Sequence, residues 1–235
     1  MKKLITTSLA FFSLTFISNT AFAQSNFDGF YAGFGVGHAR GTDKGIEYKD
    51  NGGSFYGATQ RTTPEGNLFS VFGGFNQVIE KNILLGAETD YEKRNYSHAG
   101  FQEINNSPPD LYPLETKVKN AKSLRARFGY IFNQDKTLSY ITAGFAKINI
   151  TRTYGDLTNA LGNGTSLSKN TSHNGYVFGL GIEHFLTTQI SLRGEYRYTK
   201  YMAKNIDSSA IYASGTIEKQ RFSDQSFRLG MAYNF

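Results

Sequence analysis

The sequence predicts an all-β fold: an eight-stranded antiparallel up-and-down transmembrane β-barrel with long extracellular loops. Three observations predict it. The last nine residues, Phe227-Arg228-Leu229-Gly230-Met231-Ala232-Tyr233-Asn234-Phe235, carry an apolar side chain at every second position. Seven further segments have the length of a tilted membrane strand, roughly 9–11 residues. The connections between the segments alternate strictly between short and long, as in barrels whose tight turns lie on one side of a membrane and whose loops lie on the other.

The elements follow in chain order. Met1-Lys2-Lys3 is a short basic start, Leu4 to Ile17 is mostly apolar, and Ala21-Phe22-Ala23 fits a small-x-small cleavage site. Residues 1–23 therefore read as a secretory signal peptide and 24–235 as one barrel domain. Strands are expected at about 30–40, 68–78, 83–94, 121–132, 138–152, 174–185, 190–201 and 224–235. Side chains alternate faces along a strand, so the faces can be assigned. Segment 121–132 sets Leu124, Ala126, Phe128, Tyr130 and Phe132 against Ser123, Arg125, Arg127 and Gly129. Segment 83–94 sets Ile83, Leu85, Ala87 and Tyr91 against Glu88, Asp90 and Glu92. Segment 190–201 sets Ile190, Leu192, Tyr196 and Tyr198 against Arg193, Glu195 and Arg197. Segment 138–152 alternates poorly, and its facing stays open.

The short connections are Ile79–Asn82, Asn133–Thr137 and Leu186–Gln189. The long ones, about 41–67, 95–120, 153–173 and 202–223, are rich in Gly, Asn, Ser and Thr and show little period. They read as irregular, mobile surface loops. Alternation alone leaves open which face points inward. A soluble ligand-binding barrel would bury Phe, Leu and Tyr and expose the charges. The signal segment, the long loops on one rim and a terminal aromatic strand favour the inverted arrangement, with apolar residues toward lipid.

Composition narrows the function. The chain has no Cys, so neither disulfides nor thiol chemistry is expected, and its formal charge of +6 is interspersed rather than clustered. A nucleic-acid partner is therefore not expected. Gly33-x-Gly35-x-Gly37 lies within a strand, where alternate glycines ease curvature or close packing rather than cradle phosphate.

The opening Phe27-Asp28-Gly29-Phe30-Tyr31-Ala32-Gly33-Phe34-Gly35-Val36-Gly37, with the alternating strands and the terminal Phe, resembles small outer-membrane β-barrel proteins. These include the opacity-like surface antigens and the barrel antigens of α-proteobacteria, and the architecture is similar to the OmpA transmembrane domain. The resemblance covers residues 24–235. It implies a location in the bacterial outer membrane, contact with outer-membrane lipid and lipopolysaccharide, and insertion by the barrel-assembly machinery. That machinery would read the last strand at Met231, Tyr233 and Phe235. With the chain ending on that strand, no peptidoglycan-binding domain is expected.

With apolar faces outward, the lumen would receive Glu88, Asp90, Glu92, Arg125, Arg127, Glu183, Arg193, Glu195, Arg197 and Arg228, with Lys147 as a less certain addition. An eight-stranded barrel is only wide enough for side chains, and unpaired buried charges are costly, so these should pair across strands. Glu88 or Glu195 is expected to partner Arg125, Arg127 or Arg228. The result would be a sealed interior; a narrow ion path is the alternative.

His38, His98 and His173 fall near the loop side and are candidates for hemin or metal capture at the outer rim. His184 lies near a short turn. No HExxH spacing supports a metal centre, and no cofactor is expected. Ser97-His98 and Ser172-His173 are sequence neighbours whose side chains alternate faces in a strand, so neither pair is preorganised for catalysis. The expectation is a non-enzymatic surface antigen, with host surface molecules as candidate partners of the loops; the alternative is a hemin-binding or narrow-channel protein.

Overall fold

The computed structural model describes residues 25–49, 54–80, 82–104, 113–155, 166–207 and 216–235. The signal-peptide reading of residues 1–23 lies outside them. Ten strands are described: β1 (Gly29–Lys49), β2 (Ser54–Thr62), β3 (Glu65–Glu80), β4 (Ile83–Ile104), β5 (Pro113–Phe132), β6 (Thr137–Gly155), β7 (Ser166–Phe185), β8 (Ile190–Tyr201), β9 (Lys204–Asp207) and β10 (Ile217–Asn234). All pair antiparallel. Strands β1, β3, β4, β5, β6, β7, β8 and β10 form a ring, closed by β1 on β10 from Tyr31↔Asn234 to Tyr48↔Ile217. Closure leaves no strand edge in the ring, which lipid requires.

The two remaining strands extend the same wall. β2 and β3 are one descending stave, both paired to β1 and interrupted at Thr63-Pro64. Pro64 has no N–H to give a ladder, but its carbonyl accepts from the Gly41 N–H at 2.7 Å. β9 continues β8 along β10 after a break at Met202-Ala203.

The eight expected strands are all present, but they run far beyond the expected ends. β1 continues to Lys49, β4 to Ile104 and β6 to Gly155, while β5 begins at Pro113 and β7 at Ser166. Much of 41–67, 95–120, 153–173 and 202–223 is therefore paired barrel wall, not irregular loop. The register holds as far as Phe101↔Pro113 and Gly155↔Ser166. A strand of about 20 residues tilted by about 40° rises about 50 Å, roughly twice the apolar band of a membrane barrel. The outer half forms a collar above the bilayer.

The facing inverts between the two halves. In the lower half Phe34, Val71, Leu85, Phe128, Ile141, Phe145, Leu180 and Leu229 are exposed on the outer wall. In the collar Val118, Ile148, Ile150, Val177, Tyr201 and Phe222 point inward and are buried together. Lipid solvates the lower wall and water the upper one, so each half presents the side chains its solvent tolerates. β6 crosses that boundary, with Ile141 and Phe145 outward and Ile148 and Ile150 inward. Both its faces are apolar in turn, which accounts for the poor alternation of 138–152.

Candidate functional site

The lumen is built from alternate residues of facing strands, and its side chains lie in layers. At the turn end Phe27, Leu84, Ile131, Leu138, Tyr140 and Phe185 pack together. The chain before β1 is tied to the β5–β6 turn, where Ser25 Oγ donates to Asp135 at 2.6 Å and the Asn26 N–H at 2.8 Å. Asn133, Gln134 and Asp135 all take positive φ there, a conformation that Asn and Asp tolerate better than most residues.

Above this layer lies the charged network. On β4 the i, i+2 series Glu88, Asp90, Glu92 and Arg94 forms one inward column, and on β8 Arg193, Glu195 and Arg197 form another. β4 and β8 occupy opposite places in the ring. Their columns meet at Arg193–Glu88 (2.5 Å), Arg197–Glu92 (3.0 Å) and Arg197–Asp90. Arg125 on β5 bridges Glu88 and Glu195, the latter at 3.0 Å. Arg228 reaches Glu92 at 2.5 Å, and Arg127 pairs with Glu183. Tyrosine hydroxyls fill remaining acceptor sites: Tyr31 donates to Glu88 at 2.8 Å and Tyr140 to Glu195 at 2.9 Å. The Arg127 guanidinium stacks 3.8 Å from the Tyr140 ring centre. All ten expected lumen residues are buried in this network. Lys147, the less certain addition, is exposed on the outer wall instead.

Space for these long side chains comes from glycine. Gly33 and Gly37 face the lumen, where an added Cβ would run into the Phe72 ring and approach Arg228 Cγ at 3.0 Å. Gly181 leaves room for the Tyr140 ring in the same way. A void among Ser70, Phe72, Arg193, Arg197 and Arg228 has a volume of ≈ 10 Å³, about the room one water needs.

Several lumen residues escape the sequence reading. Arg94 closes the charged column, bonding Glu92 and Asp224 at 2.6 Å each. It continues the i+2 series of Glu88, Asp90 and Glu92, a signal that was available. A second charged layer sits in the collar, above the lipid-facing band. There Arg152 on β6 crosses to Asp43 on β1, again on opposite sides of the ring, with Nε 2.6 Å from Oδ2. Thr116 Oγ1 donates to the same carboxylate at 2.9 Å. Glu218 accepts from Tyr154 Oη and Gln60 Nε2. Burial pushes the Glu218 carboxyl up to about 7, against the opposing pull of Arg152 and of its hydrogen bonds from Tyr154 and Gln220.

The histidines do not share a site. His38 is exposed on the outer wall, where its Nδ1 lies 3.2 Å from Asn67 Oδ1. His98 is also exposed, but its register opposite inward Thr116 puts it on the inner face of β4, where Nδ1 accepts from the Thr63 N–H at 3.5 Å. His173 is buried inside the collar, with Nε2 3.0 Å from Thr171 Oγ1. Burial and the nearby Arg152 charge pull its pKa down to about 4. His184 lies at the short-turn end against Thr137 Oγ1 at 2.9 Å. Their partners are amide, threonine and backbone groups, and Ser172 faces away from His173 across the wall. Among the described residues no group of three His, Cys, Asp or Glu is arranged to hold a metal ion.

A closed antiparallel ring with a lipid-facing apolar wall and a charged lumen defines a transmembrane barrel of the outer-membrane class. The family model of the outer membrane protein beta-barrel domain matches residues 8–235, and the chain belongs to that family. It is 34% identical over 164 residues to the 25 kDa outer-membrane immunogenic protein of Brucella melitensis, covering 70% of this chain and 63% of that protein. The chain thus spans less than two thirds of the length of that relative. The 31 kDa outer-membrane immunogenic protein of the same organism is 26% identical over 216 residues, covering 88% of this chain and 83% of that one. Among solved structures, the outer membrane protein OprG of Pseudomonas aeruginosa superposes with a TM-score of 0.54 at 14% identity, over 90% of this chain and 98% of that one, a likeness of fold. The protein is a bacterial outer-membrane β-barrel.

Proposed function

We propose that the barrel is a sealed, non-catalytic scaffold that displays its collar and the segments joining the staves as an attachment surface at the cell exterior. The observation that carries this reading is the diametric pairing of β4 with β8, and of β6 with β1, which fills the lumen at two levels. A path for solutes would have to break several buried ion pairs at once, each costly to leave unpaired. The same rigidity suits presentation, because recognition is concentrated on connections held by a stable frame. His98 on β4 and His173 on β7 have separate partners, the Thr63 N–H and Thr171 Oγ1, which gives hemin capture by that pair no support.

Replacing residues 105–112 and 156–165 with short Gly-Ser connections tests the reading. The altered barrel should still show the faster-running unheated band of a folded barrel, while cells carrying it lose attachment to host-cell surfaces. Attachment at the wild-type level would overturn the attachment role. Steady single-channel conductance from purified protein in a planar bilayer would overturn the sealed lumen.

A further inference from the structure

Three adjacent strands end their lipid-facing runs in the same way. On β4 the outward residue above Tyr91 is Lys93; on β5 the one above Leu124 is Lys122; on β6 the one above Phe145 is Lys147. All three lysines are exposed, and each stands one outward position beyond an exposed apolar or aromatic side chain. The register draws them together. Lys122 is directly opposite Lys147, and Tyr91 is opposite Lys122, with Lys93 two residues further on.

Opposed residues on one sheet face hold their Cβ atoms about 5 Å apart, and like charges there repel. None of these lysines forms an ion pair among the described residues. Their outward neighbours are neutral: Asn120 opposite Lys93, Asn174 opposite Lys147, and Asn149, whose Nδ2 donates to Asn120 Oδ1 at 2.6 Å. Lys122 against Lys147 is thus a place where a bound anion relieves repulsion; the like-charged row Arg221, Lys44 and Arg61 lies higher in the collar, in water. The height identifies the anion, because the site lies where the apolar band gives way to the collar, at the headgroup level of the outer leaflet.

We propose that Lys93, Lys122 and Lys147 form a binding site for a phosphate group of an anionic outer-leaflet glycolipid. The ammonium groups would hold the phosphate through charge-assisted hydrogen bonds and the asparagine amides would meet neighbouring sugar hydroxyls. Tyr91, Leu124 and Phe145 would lie against the upper ends of the acyl chains. The site faces the membrane and does not depend on the attachment role proposed above.

The test uses the full-length protein folded in detergent and titrated with a bisphosphorylated glucosamine-disaccharide lipid, with binding read by native mass spectrometry. The same lipid after phosphatase treatment forms the second arm. K93Q/K122Q/K147Q should weaken binding of the phosphorylated lipid by about tenfold or more. K44Q/R61Q/R221Q removes three cations from another face of the collar, where Arg221, Lys44 and Arg61 follow one another across β10, β1 and β2, and should change binding less than about twofold. Equal losses in the two triple variants would reduce the effect to bulk charge and overturn the site. Equal binding of both lipids by the wild type would overturn it without any variant. If the lysine triple variant gives no folded band, K122Q alone and the comparison of the two lipids decide the matter.

Discussion

Arg193 and Glu88 meet at 2.5 Å although their strands, β8 and β4, stand on opposite sides of the ring. The two side chains together span the lumen. Glu88 also takes Arg125 from the neighbouring strand and the Tyr31 hydroxyl, so one carboxylate is held from three directions. The barrel interior is thus cross-braced by charge, and its stability depends on the braces remaining paired.

Breaking one brace leaves a buried, uncompensated charge, which costs about 3–5 kcal/mol. Arg125→Ala removes the cation that Glu88 and Glu195 share, leaves the buried network one positive charge short and should destabilise the barrel by about that much. Tyr198→Phe, on the exposed outer wall, should change stability by less than about 0.5 kcal/mol. Urea unfolding followed by the heat-shifted gel band measures both. Equal midpoints for the two variants would contradict a load shared through the ion pairs.

The glycines make a separate claim about packing. Gly181 faces the Tyr140 ring, which in turn supports Arg127 and reaches Glu195. Gly181→Val should therefore disturb both layers and lower stability by about 1–3 kcal/mol. Gly194→Ala is the contrast, because its new Cβ would meet Leu229 Cδ2 at a comfortable 3.8 Å. Melting of the two variants in the same detergent should separate clearly, and a tolerated Gly181→Val would mean that Tyr140 can swing aside freely.

The lower half of the barrel was legible in the sequence because lipid outside and charge inside produce a strong period of two, as in Leu124 to Phe132 and in Phe227 to Phe235. The collar was not legible. There the outer residues Arg40, Thr42 and Lys44 and the inner residues Asp43 and Glu47 are all polar, so alternation carries no hydrophobic signal. The pairing of Asp43 with Arg152 joins residues on opposite staves, and no local spacing announces it. His173 shows the same gap: adjacency to Ser172 was visible, while the inward turn of its ring depends on a strand extension that composition conceals.

Glu218 predicts one pH dependence. Its carboxyl lies at about 7 in the folded collar against an ordinary value near 4.5, so the folded state binds more protons between those values. Its contribution is fully present below about pH 4.5 and is lost as the pH rises through about 7. Glu218→Gln cannot ionise and keeps a neutral side chain throughout. The variant and the wild type should melt together near pH 4, with the variant the more stable of the two at pH 8. A wild type that gains on the variant as pH rises would show that Arg152 and Tyr154 hold Glu218 ionised.

His173 works in the opposite direction. Its pKa is lowered from about 6.5 to about 4, because burial and Arg152 disfavour the imidazolium, so the unfolded chain binds the extra proton. The stability it contributes is complete above about pH 6.5 and is lost as the pH falls toward 4. His173→Gln removes that titration while keeping a polar side chain near Thr171. The wild type should lose stability relative to this variant between pH 7 and pH 4, read as the temperature of the gel shift at each pH. In Glu218→Gln the histidine loss acts without the glutamate gain, so acidification should destabilise that variant more steeply than the wild type. A wild type steeper than Glu218→Gln would mean that the two buried groups do not titrate in opposition.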